Sequence, residues 1–276
     1  MAEVKVILCD RKADFKLTFC QARSLNCSQR FTNPRLHHGA SLGPCFLIYD
    51  NRFGDILGPD PKLSVALTEG FPFAHEAGVY IPHQDSVFVT SNQFVPSGQE
   101  DKTIIISKLS RASDGSWTRH TIDAPEIVMA NGGINYKGGI LFCAQGSRTG
   151  KGTIGDGNNG GLVHMSVEPP YRSSVLVNNY HGYLFNSVND VVIHSDGSVW
   201  FTDPMYGYEQ GIRPEPQLAN QVYRLDTNTD DLRVVADGFG RPNGICFSPD
   251  ENTVYITDTD FLHGDGTTDA SRPRTM

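Results

Sequence analysis

The chain has 276 residues, with 28 Gly, 16 Pro, 38% apolar residues, 20% charged residues and a net charge of −8. No apolar run approaches the ~20 residues that span a bilayer, and the turn formers follow no collagen-like or low-complexity pattern, so membrane-spanning, fibrous and disordered chains are excluded. Residues 1–42 carry seven Lys/Arg against three acids, a charge of +4 that leaves −12 for the rest; such an acidic body repels phosphate backbones and favours cations, which argues against a nucleic-acid partner.

From the N-terminus, MAEVKVILCD has too short an apolar core for a secretory signal, so a cytoplasmic location is expected, with no membrane partner. The six cysteines form no C-x-x-C pair, which fits a reduced compartment better than a zinc site or a disulfide framework. Residues 1–44 are set apart as a basic, cysteine-containing segment, open to disorder. Residues 45–276 carry the folded body.

Beyond that point short β-rich runs follow one another between Gly, Pro, Asn and Asp. They are FLIYD (46–50), SVFVT (86–90), TIIISKL (103–109), GGILFCA (138–144), GLVHMSV (161–167), SVWFTD (198–203), QVYRLD (221–226), LRVVAD (232–237), GICFS (244–248) and TVYITD (253–258). They predict an all-β chain. Thr90, Ala144, Thr202 and Thr257 are equivalent points in four of these runs, 54, 58 and 55 residues apart. A period of this size predicts propeller blades, each a four-stranded antiparallel sheet. A β-sandwich is the alternative, but its strands come every ~8–12 residues without such a superperiod.

Thirteen or fourteen residues before each anchor stand Glu76, Asn131, Asn189 and Asn243. Each opens the innermost strand of its unit: HEAGVY, ANGGINY, VNDVVI and PNGICF. Inner strands of a propeller face one channel, so these four heads are expected to converge. One carboxylate and three carboxamides are oxygen donors suited to a hard cation, Ca2+ before Zn2+. Asn-Gly and Asn-Asp are also ordinary turn dipeptides, an objection that bears most on Asn131-Gly132 and Asn243-Gly244. The long connections 91–101, 145–161, 178–187 and 204–220 are expected on the same face as the heads, and loops of this length are usually functional. Met205, Tyr206, Tyr208 and Phe94 are candidates for an apolar lid, and Tyr180, His181 and Tyr183 for the mouth. The G-x-G-x-x-G at 155–160 has no following helix and is set aside as a nucleotide site.

From about Phe46 onward the chain resembles the gluconolactonase/senescence-marker-protein (regucalcin-like) family, most of all its fungal lactonase-like members. The resemblance rests on FAHEAGVY (73–80), FNSVNDVVIHSDGSVWFTDPMYG (185–207) and RPNGICFSPDENTVYITDT (241–259). It implies a six-bladed propeller with a divalent cation, usually Ca2+ with Zn2+ or Mn2+ as alternatives, and hydrolysis of a small-molecule lactone. By motif, the metal ligands fall on Glu76, Asn189 and Asn243. Asn189 and Asp190 are the catalytic candidates, while Asn131 rests on the repeat alone and is grouped with His181, Tyr206 and Tyr208 as a substrate or lid residue. Ser187 stands where some members place an arginine that grips a sugar acid.

The resemblance also implies a final aspartate, ligand and base, one blade beyond Asn243. Met276 comes first, and Asp258 is not a substitute for it. The expectation is a C-terminally truncated propeller of about four blades, with weak Ca2+ binding and little lactonase activity. A non-catalytic propeller fragment acting as a scaffold is the alternative, and a strictosidine-synthase-like propeller is a third.

Overall fold

The computed structural model describes residues 4–10, 15–20, 52–57, 62–148 and 160–275. The predicted strand 46–50 and the G-x-G-x-x-G motif, apart from Gly160, lie outside them. Strands β1 (Val4–Asp10) and β2 (Phe15–Cys20) form an antiparallel hairpin, and β1 also pairs with β3 (Lys62–Glu69), after the short helix α1 (Arg52–Leu57). These parts of the N-terminal segment are strands, where the sequence left room for disorder.

Three four-stranded antiparallel meanders follow, each in simple sequence order. The first is β4 (Glu76–Ile81), β5 (Ser86–Thr90), β6 (Ile106–Arg111) and β7 (Trp117–Ile122). The second is β8 (Ala130–Tyr136), β9 (Gly139–Ala144), β10 (Gly161–Ser166) and β11 (Ser173–Val177). After the small hairpin β12 (Asn179–Tyr180) and β13 (Tyr183–Leu184), the third is β14 (Val191–Ile193), β15 (Val199–Asp203), β16 (Gln221–Asp226) and β17 (Asp231–Ala236), with helix α2 (Tyr206–Glu209) after β15. A last pair, β18 (Pro242–Phe247) and β19 (Val254–Asp258), repeats the start of the pattern. In the third meander β14 turns into β15 through Ser195–Gly197, with Gly197 at φ 85° and the Asp196 carboxylate accepting the Ser198 N–H; a short loop closed by a left-handed glycine keeps the strands in register.

The sheets stack face to face, which explains why the second strands read as unbroken apolar runs: every residue of β5 and of β9 is buried. Phe88, Ile106, Ile140, Phe142 and Met165 fill the space between the first and second meanders. Leu141, Cys143, Val199, Phe201 and Tyr223 fill the next, where Phe185, Phe201 and Tyr223 pack as an aromatic trio with centroids 5.1–5.4 Å apart. Leu67 of β3 packs on Phe73, Val87 and Val89, and Trp200 meets Phe247 at 5.4 Å. Successive first strands β4, β8, β14 and β18 are neighbours. The fold is thus all-β and propeller-like, with first strands side by side.

Candidate functional site

Three of the four first strands, β4, β8 and β18, begin irregularly. Register shifts separate Glu76 from Val79, Ala130 from Gly133 and Pro242 from Ile245. An extra residue at a strand head re-aims its side chain, and Ala77 takes φ 52° to do so. The heads are then stitched together across sheets. Thr90 Oγ1 donates to the Asn131 carbonyl at 2.9 Å, the Gly132 N–H donates to the Asn189 carbonyl at 3.0 Å, and Thr202 Oγ1 donates to the Asn243 carbonyl at 2.7 Å. Thr90 and Thr202 are therefore rungs between neighbouring heads, whereas Thr257 Oγ1 accepts the Gly244 N–H within its own sheet at 2.8 Å. Glu76, Asn131, Asn189 and Asn243 come together in this order.

Asp190 adds a second carboxylate to the group. Its Oδ2 accepts the Ile245 N–H at 2.9 Å and its Oδ1 accepts the Val191 N–H at 2.9 Å. Burial raises its pKa. Glu76 keeps some contact with water, yet burial and then the Asp190 charge push its carboxyl up to about 7. His75 Nε2 stands 3.9 Å from Glu76, and among the described residues no Lys or Arg pairs with either carboxylate. Cys143, fully buried, has its thiol pushed up by burial and then by the charges of Asp190, Glu76 and Asp203.

Two carboxylates close enough for the charge of one to raise the pKa of the other, with no Lys or Arg paired to either among the described residues, are an environment that a divalent cation stabilises. The residues present fit one. Among the described residues no three Asp, Glu, His or Cys side chains cluster as ligands, so the amides are needed to complete any cation shell. Asn189 is buried. Asn243 Nδ2 donates to Thr259 Oγ1 at 3.3 Å, and Tyr206 OH bonds the same Thr259 oxygen. Fixing the amide nitrogen leaves the Asn243 oxygen as the free donor atom.

The predicted lid residues separate. Tyr206, the first residue of α2, is buried and holds Thr259, whereas Tyr208, two residues on, is 45% exposed. His181 lies in the β12–β13 hairpin, against Tyr180 at 4.4 Å, and Tyr180 packs on Tyr223. No hydrogen bond or ring contact joins His181 or Tyr208 to the four heads among the described residues. Tyr206→Phe is expected to lower cation affinity about tenfold, the scale for losing an outer hydrogen bond to a ligand, with a small loss of stability; calorimetric titration with Ca2+ checks it.

Sequence reasoning missed a second repeated device. Asp203 takes the N–H groups of Asn186 (2.9 Å) and Ser187 (2.8 Å), and Asp258 takes those of Gly240 (2.9 Å) and Arg241 (2.8 Å). Each carboxylate ties the end of a second strand to the loop that enters its own sheet's head. The recurring Thr-Asp at 202–203 and 257–258 was the signal. Arg213, also unforeseen, is buried and donates to the Phe185 carbonyl at 2.8 Å and the Asn186 carbonyl at 3.0 Å, fastening the 204–220 loop to the same entry. Ser187 is occupied as well, donating to the Pro204 carbonyl and accepting the Gly207 N–H.

Burial pushes Asp203 up to about 7. With Glu76 it holds a proton in the folded chain over about pH 4–7, where the unfolded chain has lost it, so stability falls as pH rises through that window. The melting temperature of metal-free protein is expected to fall between pH 5 and 8. Saturating Ca2+ should remove the Glu76 share, and Asp203→Asn should flatten the remainder. A midpoint that climbs over this range contradicts both assignments.

An all-β chain whose antiparallel sheets bring their first strands to one oxygen-rich centre is a propeller-like protein with a candidate cation site. The chain belongs to the SMP-30/Gluconolactonase/LRE-like region family, whose model matches residues 103–261 and so includes Asn131, Asn189, Asp190 and Asn243. It is 31% identical over 215 residues to the lactonohydrolase oryL of Aspergillus oryzae, covering 74% of this chain and 44% of that protein. It is 39% identical over 114 residues to the gluconolactonase of Zymomonas mobilis, covering 40% and 31%. The chain spans about half the length of the Aspergillus relatives it matches. A solved gluconolactonase from Xanthomonas campestris shares the fold at a TM-score of 0.50 and 24% identity, over 68% of this chain and 56% of that one. Among the described residues no helix is long and apolar enough to cross a membrane.

Proposed function

We propose that this protein is a divalent-cation-dependent lactone hydrolase, with Ca2+ as the cation, Glu76, Asn189 and Asn243 as its protein ligands, and the antiparallel sheets as blades of a six-bladed propeller. The uncompensated Glu76–Asp190 pair among the stitched strand heads carries the reading, and the lactonohydrolase and gluconolactonase relatives support the substrate class. A cation held there supplies Lewis-acid polarisation of an ester carbonyl.

The remaining work falls to the chain. Asn189, fixed through its backbone by Thr202 and Gly132, orients the lactone carbonyl. Asp190, anchored by two N–H groups, accepts the proton of the attacking water; burial raises its basicity toward that task. The water oxygen bonds to the carbonyl carbon, the bond from that carbon to the ring oxygen breaks, and the ring oxygen takes a proton, giving the hydroxy acid.

The test is hydrolysis of glucono-δ-lactone and simple γ- and δ-lactones before chelation, after it, and after adding back Ca2+, Mn2+ or Zn2+. Activity lost with chelator and restored best by Ca2+ is expected. Turnover indifferent to chelation sinks the proposal. A non-catalytic scaffold is the second reading, favoured by the lack of a three-residue Asp/Glu/His/Cys cluster among the described residues, and it predicts no turnover under any of these conditions.

A further inference from the structure

We propose that the side-chain oxygen of Asn131 is a fourth protein ligand of the channel cation, beside Glu76, Asn189 and Asn243, so that one carboxylate and three carboxamides at the heads of four successive sheets face the ion. The inference rests on the cation reading above and extends its ligand set to the one strand head that the resemblance grouped with substrate or lid residues.

Four buried side-chain polar atoms lack a partner among the described residues: Asn131 Oδ1, Tyr136 OH, Gln145 Nε2 and Asn186 Oδ1. Two of the three amides are held by their other end. Asn186 Nδ2 donates toward the carbonyls of Asp203, Leu218 and Ala219, and Gln145 Oε1 accepts from Gln93 Nε2. Asn131 differs, because among the described residues neither its side-chain oxygen nor its side-chain nitrogen makes a hydrogen bond. An amide oxygen shut away from water with no donor costs about 1–3 kcal/mol, and such an atom in a native fold calls for a missing partner.

The backbone around Asn131 shows which partner fits. Its carbonyl is taken by Thr90 Oγ1 on the Glu76 side, and the next N–H, of Gly132, is given to Asn189 on the other. Asn131 is thereby pinned between two of the proposed ligands, with only its own side-chain torsions left to set. Amide oxygens coordinate Ca2+ at ~2.3–2.6 Å, closer than a water oxygen approaches in a hydrogen bond, so a space that shuts out water can still admit the ion. A third neutral amide also adds a donor without charge, which leaves the bound ion net positive and able to polarise a carbonyl.

Ca2+ affinity of the full chain by isothermal titration, with Tb3+ luminescence as a second probe, tests the assignment in wild type, Asn131→Leu, Asn131→Asp and Glu76→Gln. Asn131→Leu, which keeps the volume, is expected to weaken Ca2+ binding about 10–100-fold, the range for disrupting a metal's supporting shell. Asn131→Asp, which keeps an oxygen and adds charge, should bind at least as tightly as wild type. If Asn131→Leu does not fold, Asn131→Asp decides, and weakened binding in a folded Asn131→Asp overturns the assignment. If wild type binds, Glu76→Gln does not, and Asn131→Leu matches wild type, the fourth ligand is wrong while the cation site stands. If wild type binds none of these ions, the cation reading falls and this assignment falls with it.

Discussion

Glu76→Gln is expected to lower Ca2+ affinity by at least about 100-fold and to abolish lactone hydrolysis, while making the metal-free protein more stable. The two effects share one cause. Glu76 heads β4 with a carboxyl pushed up to about 7 by burial and by Asp190, which means that its charge is costly when no cation is present. Gln keeps the size and one carbonyl oxygen but removes the charge. The repulsion with Asp190 disappears, and with it the electrostatic attraction that draws a cation in. Truncating a residue that merely packs would lower stability and affinity together. Opposite signs, with metal-free melting raised at pH 8 and no further rise on adding Ca2+, are the mark of a charge kept for binding. A Glu76→Gln protein that hydrolyses lactone at the wild-type rate removes this residue from the site.

The parts of the fold that sequence revealed are those where burial is two-sided. SVFVT and GGILFCA are covered on both faces, so each stands out as a short β-rich run; the first has the observed bounds 86–90, and the second, read as 138–144, begins one residue later at 139. Two of the three outer strands were missed: Trp117–Ile122 alternates half-buried with exposed positions over most of its length, and Ser173–Val177 opens on two serines, so neither shows such a run. The heads Glu76, Asn131, Asn189 and Asn243 were legible because a repeat carries equivalent residues to equivalent places. The hydrogen bonds that join them were not, since they run from threonine hydroxyls and a glycine N–H to carbonyls about 40–60 residues away. Tyr206 and Tyr208 show the same limit within one turn of helix: periodicity marks both as aromatic, and only the packing of α2 buries the first and exposes the second. Arg213 and Asp203 were hidden for a related reason, as their partners are almost all backbone groups, which every residue type supplies.

Gly132→Ala is the smallest change expected to break the site. Gly132 has no left-handed φ; what it lacks is room. A Cβ there would fall inside contact distance of the Asn189 carbonyl oxygen, and 3.1 Å from both the Cα and the Oδ1 of Asp190. The obstructing atoms are mainly backbone, and that backbone also receives the Gly132 N–H at 3.0 Å, so neither side can yield without parting β8 from the Asn189–Asp190 segment. Overpacking of this kind costs about 1–3 kcal/mol, and the lost inter-sheet hydrogen bond adds about 1 kcal/mol. The displaced atoms belong to the proposed ligand Asn189 and the proposed base Asp190. Ca2+ affinity and hydrolysis should therefore fall further than the stability loss alone explains, by about tenfold or more. Gly70→Ala is the control, because a Cβ at Gly70 meets nothing within 4 Å and its melting point and affinity should stay at wild-type values. Should Gly132→Ala bind Ca2+ and melt as wild type does, the two head segments are not in the close contact on which the site depends.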